Sequence, residues 1–180
     1  KKDITISLSL EKYLGKELDD QKLKAYFEQN KAAYDETEVK ASHVLVDTRT
    51  MKTDEELAQA KDKINKAKAD VVAGKDFADI AKQYSDCPSK EKGGDLGFFK
   101  RKGQMVEPFA AAAFALKIGQ ISDPIKTNFG YHIIKVTEIK QGKDVKFDDI
   151  KQNVKQDILQ EKAQVLISQL RQKAKIDIKA

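Results

Sequence analysis

The side chains able to do chemistry in this 180-residue chain are few: two histidines, one cysteine and a handful of large apolar residues set among charges. His43 stands in Ser42-His43-Val44 and His132 in Tyr131-His132-Ile133, both within runs that read as strands. Two strands of one sheet can bring the imidazoles side by side. Cys87 lies in Tyr84-Ser85-Asp86-Cys87-Pro88-Ser89, a loop able to reach over that sheet. Three chemistries can be drawn from this set. An imidazole beside the thiol would lower its pKa and make a Cys–His nucleophile, but no oxyanion-hole motif accompanies it. Cys87, His43 and His132 offer three zinc ligands, but none at the short spacing of metal-binding motifs. A serine hydrolase would need a Gly-x-Ser-x-Gly elbow, and none is present. The plainer reading stands beside these: a strand histidine satisfied in a core, a free cysteine acting as a small buried hydrophobe, and Leu96, Met105 and Phe109 as core residues. Spacing alone leaves an α/β domain of open role.

The elements that must position these residues follow from punctuation and periodicity. All three prolines and seven of the nine glycines lie between Gly74 and Gly130, so a compact, loop-bearing middle is flanked by helical arms. In the N-terminal arm, Ile6, Leu10, Tyr13 and Leu14 have helical spacing from about Ser7, although Ile4 to Leu10 also alternate like a strand. Asp19 or Asp20 caps a second helix running to about Ala33, with Leu23, Tyr26 and Phe27 on its apolar side. Val39 to Val46 reads as a buried strand. Thr53-Asp54-Glu55-Glu56 is a capping box; the helix it opens turns Leu57, Ala60, Ile64, Ala67 and Val71 inward and stops at Gly74. Asp76 caps a helix carrying Phe77, Ile80, Ala81 and Tyr84. A loop then leads to a short apolar piece, Leu96 to Phe99. Pro108 suits the first turn of a helix to Leu116, closed by Gly119. Ile121 to Thr127 and Tyr131 to Ile139 read as strands. From Lys143 onward there is no Gly or Pro, and the stripe Ile150, Val154, Ile158, Leu159, Ala163, Leu166 and Leu170 predicts one long amphipathic helix. That helix must cover its stripe with the N-terminal arm, another subunit or a client.

Composition excludes whole classes. One cysteine cannot pair within the chain, no run approaches 18 apolar residues, and Gly and Pro are too few for collagen-like or low-complexity sequence. The chain is 40% hydrophobic and 35% charged, against about 25% charged in typical globular chains. Its 34 basic and 29 acidic residues, net +5, are interleaved, which makes a solvated surface rather than a nucleic-acid footprint. No phosphate-binding Gly-x-x-x-x-Gly-Lys loop is present. The chain begins Lys1-Lys2-Asp3, with neither Met nor an apolar signal core, so it reads as a mature or trimmed product with residues missing before Lys1.

Six segments, in order, carry a resemblance. They are Ala41-Ser42-His43-Val44-Leu45-Val46, Tyr84 to Ser89, Gly93-Gly94-Asp95-Leu96-Gly97-Phe98-Phe99, Gly103-Gln104-Met105-Val106-Glu107-Pro108-Phe109, Phe114-Ala115-Leu116 and Gly130-Tyr131-His132-Ile133-Ile134-Lys135. Together they resemble the successive motifs of a parvulin-type (PpiC-like) peptidyl-prolyl isomerase domain. The flanking arms resemble those of bacterial extracytoplasmic foldases, by composition. The resemblance implies an α+β fold, a small, mostly antiparallel sheet with about three helices on and around it. It divides the chain into an N-terminal helical arm (1–38), the isomerase domain (39–140) and a C-terminal helical arm (141–180), the arms packing as one chaperone-like module. It places the paired catalytic histidines at His43 and His132 and the central Cys-or-Asp position at Cys87. The proline-ring pocket falls on Leu96, Met105 and Phe109, with Phe99 and Gln104 nearby. Thr127 matches a hydroxyl behind the histidines, and Phe129 makes the groove edge more apolar than in some relatives. Phosphoserine-directed relatives carry a basic cluster after the first strand; here Asp47-Thr48-Arg49-Thr50-Met51-Lys52 holds only two basic residues, which argues against a phosphate requirement.

The implied reaction is rotation about an X–Pro imide. Its barrier is about 18–20 kcal/mol, and unassisted exchange takes tens to hundreds of seconds. No bond is made or cleaved, so neither cofactor nor metal is required. A thousandfold acceleration needs roughly 4 kcal/mol of preferential binding to the twisted amide, which an apolar slot gripping the ring can supply. In this scheme His43 and His132 share a hydrogen bond that fixes their tautomers and orients Cys87 toward the substrate carbonyl, with Cys87 an electrostatic and steric partner. The expected partners are unfolded or newly secreted polypeptides with X–Pro bonds, with no nucleic acid and no transmembrane segment, in the envelope of a bacterium. The arms can cradle clients or form a homodimer. Two other readings remain: a holdase whose isomerase domain is silent, and a structural dimer module with neither activity.

Overall fold

The structure is a computed structural model that describes residues 18–173; the helix expected from about Ser7 lies outside them. The chain forms two compact units, one spanning Ala32–Lys143 and the other built from the segments on either side of it.

The inner unit is a four-stranded antiparallel sheet in the order β2-β1-β4-β3. Its strands are β1 (Glu38–Asp47), β2 (Asp95–Lys100), β3 (Ile125–Lys126) and β4 (Gly130–Lys140). Helices α2 (Asp54–Val72) and α3 (Phe77–Tyr84) cover one face, and α4 (Glu107–Ala115) covers the other. The period of two along β1 and β4 explains the two-sided core. Val44, Val46 and Ile133 meet Ala60, Ile64, Ala67, Phe77 and Ile80 on one side. Val39, Ala41, Ile134 and Val136 meet Phe99, Phe109 and Ala113 on the other. The sheet is therefore buried on both faces, which is why the centre of β1 is a continuous apolar run.

Local signals set the helix ends. Thr53 and Glu56 form the reciprocal capping box at the start of α2, and the Asp76 carboxylate accepts from the amides of Ala78 and Asp79 at the start of α3. Four of the five inward positions named for α2 are buried, and Leu57 is half-buried. The strand expected over Ile121 to Thr127 is mostly absent. Only Ile125–Lys126 pairs as a strand, with an isolated bridge from Ile121 to Lys135. Two features break the ladder. Ser122 Oγ takes the Ile134 amide at 3.0 Å in place of a backbone carbonyl, and Pro124 has no N–H to donate.

The outer unit contains α1 (Asp20–Gln29) and α5 (Phe147–Lys173), which pack on each other. Leu23 and Phe27 of α1 are buried, as are Val154, Ile158 and Leu159 of α5. The Phe27 and Phe147 rings lie 5.9 Å apart, and Lys151 reaches Asp20 at 2.5 Å. α1 stops at Gln29 rather than near Ala33, because Asn30 leaves helical geometry at φ −118° and its side chain takes the Tyr26 carbonyl at 2.9 Å; a three-residue 3-10 turn, Lys31–Ala33, follows. Val165, Ile167 and Leu170 of α5 are exposed. No helix among the described residues is long and apolar enough to cross a membrane.

Candidate active site

β1 and β4 are neighbours, and their register sets Leu45 opposite His132 and Ile134 opposite His43. The two histidines are thus diagonal neighbours on the face that α4 covers. Their Nδ1 atoms are 3.3 Å apart and their rings stack at 26°. Phe109 stands edge-on to both, with centroids 5.7 Å from His43 and 5.4 Å from His132. Both imidazoles are buried, at 6% and 4% exposure.

The outer ring nitrogens are also engaged. Thr127 Oγ1 lies 2.8 Å from His132 Nε2 and accepts from the Phe129 amide at 3.0 Å. Ser89 Oγ lies 3.2 Å from His43 Nε2. A line of hydrogen bonds therefore runs Ser89–His43–His132–Thr127. With both rings neutral, a single proton lies between the two Nδ1 atoms, and two proton arrangements satisfy the whole line. Burial supports the neutral form. It pushes His43 down to about 4, and it pushes His132 down to about 4 with help from the neighbouring imidazole, while Asp47 acts weakly the other way.

Two close backbone approaches hold this geometry. The His43 amide donates to the Gly94 carbonyl at 3.0 Å, and a Cβ on Gly94 would sit 2.3 Å from the His43 oxygen. Gly130, at φ +144°, passes so near β1 that a Cβ would lie 2.0 Å from the Val46 oxygen. Each requires glycine, and each sits beside a histidine's strand. The loop after α3 is docked edge-on against β1. Ser85 Oγ accepts from the Leu45 amide at 3.1 Å, and the Asp86 amide donates to Leu45 O at 2.7 Å.

That docking carries Ser89, two residues after Cys87, to the His43 end of the site. Cys87 is half-buried at the start of the 3-10 turn Pro88–Lys92, and its amide donates to Ser85 Oγ at 3.3 Å. The hydroxyl that meets His43 belongs to Ser89, so the imidazole pair does not orient the thiol by a hydrogen bond to that nitrogen. Ser89 was not singled out from sequence, although it closes the quoted Tyr84–Ser89 motif. Among the described residues no three His, Cys, Asp or Glu side chains are gathered as a metal site would need.

The apolar residues sort into layers. Leu96 and Met105 are half-buried against the cluster that contains Phe109. Phe109 itself is 4% exposed. Phe99 is 1% exposed, and its ring centre lies 6.0 Å from that of Phe109. Gln104 is exposed, and its Oε1 accepts from the Lys100 amide at 2.6 Å, fixing the loop that carries Met105. The same loop is braced by Arg101, whose guanidinium holds Glu107 at 2.8 and 2.5 Å and keeps that carboxyl below its ordinary range. Phe129 is 41% exposed at the Thr127 end. A cavity of about 390 Å³ lies elsewhere, lined by residues of α2 and its N-terminal loop with Val46 and Asp86, and contains none of the ten residues proposed from sequence.

A small antiparallel sheet with paired buried histidines against a phenylalanine is the arrangement of parvulin-type isomerases. Residues 43–138 match the rotamase family described as the PPIC-type PPIASE domain, over half of the chain, and the chain belongs to that family. It is 43% identical over 165 residues to foldase protein PrsA 1 of Bacillus cereus, covering 91% of this chain and 50% of the relative. Among solved structures, foldase protein PrsA from Streptococcus pneumoniae is 31% identical with a TM-score of 0.51, over 97% of this chain and 62% of that one. The peptidyl-prolyl isomerase ESS1 from Candida albicans is 33% identical with a TM-score of 0.53, over 67% of this chain and 77% of that one. The chain thus spans about half the length of the curated foldase it matches.

Proposed function

We propose that this protein is an extracytoplasmic foldase of a bacterium that accelerates cis–trans rotation about X–Pro bonds in unfolded or newly secreted polypeptides. The observation that carries the reading is the buried imidazole pair set edge-on to Phe109 within a PpiC-type domain. The proline ring takes the place beside Phe109, between Leu96 and Met105, and the histidines form the wall against which the preceding carbonyl turns. A twisted imide loses its resonance and places lone-pair density on nitrogen, so it tolerates a dry, uncharged pocket better than planar, strongly hydrated amide does. Two neutral rings bound to each other present that surface; an imidazolium would attract water and competing anions. Cys87, half-buried at the edge, shapes the same wall without acting as a nucleophile. The outer unit of α1 and α5 supplies client affinity through the exposed Val165, Ile167 and Leu170 or joins two copies into a dimer.

The alternative is a holdase whose isomerase domain is silent. Exchange spectroscopy on a proline tetrapeptide with the purified chain separates the two. Acceleration above the spontaneous rate is expected, and loss of that acceleration in Phe109→Ala with the fold retained. Suppression of client aggregation with no acceleration at all would establish the holdase instead.

A further inference from the structure

β1 outruns one of its neighbours. β2 pairs with it only as far as Ser42, opposite Asp95, yet β1 continues to Asp47, and His43 lies in the overhang. Alternate residues of a strand turn their amide and carbonyl to the same side, so His43, Leu45 and Asp47 face the space beyond the end of β2 and need partners there. The segment Ser85–Gly94 supplies them. At one end the Gly94 carbonyl accepts from the His43 amide at 3.0 Å. At the other, Ser85 Oγ accepts from the Leu45 amide at 3.1 Å, the Asp86 amide donates to the Leu45 carbonyl at 2.7 Å, and Asp86 Oδ2 accepts from the Asp47 amide at 2.9 Å. Both ends of the segment are thus laid along β1, and the residues between them bring Ser89 Oγ to 3.2 Å from His43 Nε2.

The two anchors differ in kind. The Gly94 end is set by backbone alone, at an approach too close for any Cβ. The other end rests on side chains. The second oxygen of Asp86, Oδ1, takes the Lys63 ammonium at 2.9 Å, so one carboxylate joins the tip of β1, helix α2 and the start of the segment. The Lys63 and Asp86 side chains are 39% and 40% exposed, and both line the cavity beside α2. An ion pair this wet adds little to stability. What it fixes is position: with one oxygen on a backbone amide and the other on an ammonium, the carboxylate cannot turn without losing a bond. Resting on the isomerase reading above, we propose that Asp86 is a positioning residue of the isomerase site: held by Lys63, its carboxylate pins the Ser85–Gly94 segment to the tip of β1 and so sets Ser89 against His43. Asp86 acts on the reaction through that segment.

The test is Asp86→Ala in the full chain, with Asp86→Asn as its conservative counterpart. On a Leu–Pro tetrapeptide, affinity is read by chemical-shift titration and the catalysed exchange rate at saturating peptide by exchange spectroscopy. The ring nitrogens of His43 are followed in the same samples. In Asp86→Ala the affinity should stay within about twofold of the parent while the saturated rate falls about tenfold, since a misplacement on the order of 1 Å near the reacting groups costs up to about a hundredfold. The His43 Nε2 signal should shift as Ser89 withdraws. A role confined to stability would move none of these in protein that is still native. Asp86→Asn keeps an oxygen for the Asp47 amide and should recover the rate to within about threefold of the parent. Lys63→Met keeps the stem and leaves Asp86 its amide; it should slow the rate about threefold at unchanged affinity, the scale of an exposed charge pair. Should Asp86→Ala fail to fold, Lys63→Met decides, and a rate equal to the parent's overturns the proposal. So does a parental rate in native Asp86→Ala, a loss of affinity that matches the loss of rate, or an Asn variant as slow as the Ala variant. Absence of acceleration in the parent protein overturns the isomerase reading alone, because the His43 Nε2 signal still decides whether Asp86 holds Ser89 in place.

Discussion

Lowering the pH from 7 to 5 should weaken this fold through two side chains. His43 and His132 are both buried and both pushed from 6.5 to about 4. In the unfolded chain each ring takes up a proton near its ordinary pKa, while in the native state it stays neutral, so between these values the unfolded state binds more protons. The stability held by the neutral rings is complete above pH 6.5 and is lost as pH falls through that window toward 4. Each ring then costs roughly 2 kcal/mol between pH 7 and 5, about 4 kcal/mol for the two, a large share of the roughly 5–15 kcal/mol that holds a typical domain. The second proton meets more than burial: with both rings charged, two Nδ1–H groups would face each other across 3.3 Å, and the pair would part. Carboxylates held low by their partners, Asp47, Glu56, Glu107 and Asp123 among them, keep their contribution down to about pH 5 and lose it as pH falls through and below their ordinary values of 4.5 and 3.8. Urea unfolding at half-unit pH steps reads the slope, and the histidine ring resonances read the protonation directly. A stability flat to within about 0.5 kcal/mol from pH 7 to 5, or rings that titrate near 6.5, would show that water reaches the pair and that the dry wall assumed for catalysis does not exist.

Three further substitutions test the construction of the site. Ser89→Ala removes the partner of His43 Nε2; a cost of about 1 kcal/mol in urea unfolding is expected, with a change in the His43 tautomer visible by nitrogen NMR, and an unchanged tautomer would remove Ser89 from the line. Cys87→Asp should retain most isomerase activity, since the proposed rotation needs no nucleophile; complete loss, together with alkylation that peptide blocks in the parent protein, would favour covalent chemistry. Gly94→Ala forces a methyl to 2.3 Å from the His43 oxygen at φ +82°, and should destabilise by roughly 2 kcal/mol or more while separating the histidine pair, as read by loss of their mutual shift perturbation.

How much of this was legible beforehand depended on whether a feature is local or relational. The Thr53–Glu56 box, the Asp76 cap and the buried faces of α2 and α3 are written within a few residues, and periodicity finds them. The shortening of the Ile121–Thr127 strand to Ile125–Lys126 is not, because it turns on Ser122 Oγ replacing a carbonyl opposite Ile134. The placement of His43 beside His132 follows from two strand patterns once the strands are paired, but their stagger depends on the register that Gly130 permits. Phe99 and Phe109 look alike in sequence, and only the packing shows that Phe109 is the ring that meets both histidines.

The replacement of Cys87 by Ser89 at the imidazole shows the same distinction most sharply. Both residues sit in one loop, two positions apart, and a residue-type argument favours the sulfur because it is the rarer chemistry. The loop's own hydrogen bonds decide otherwise. Ser85 Oγ accepts from two amides, Leu45 and Cys87, so the loop that follows α3 is held against β1 with the cysteine amide bonded to Ser85. Pro88 then starts the 3-10 turn, whose course brings Ser89 Oγ to 3.2 Å from His43 Nε2. A hydroxyl there can donate or accept, so it accommodates either proton arrangement of the histidine line, whereas a thiol is a weak partner in both roles. An isomerase gains from that indifference: the wall stays neutral and fully bonded whichever way its single shared proton lies, and no proton need move while the imide turns.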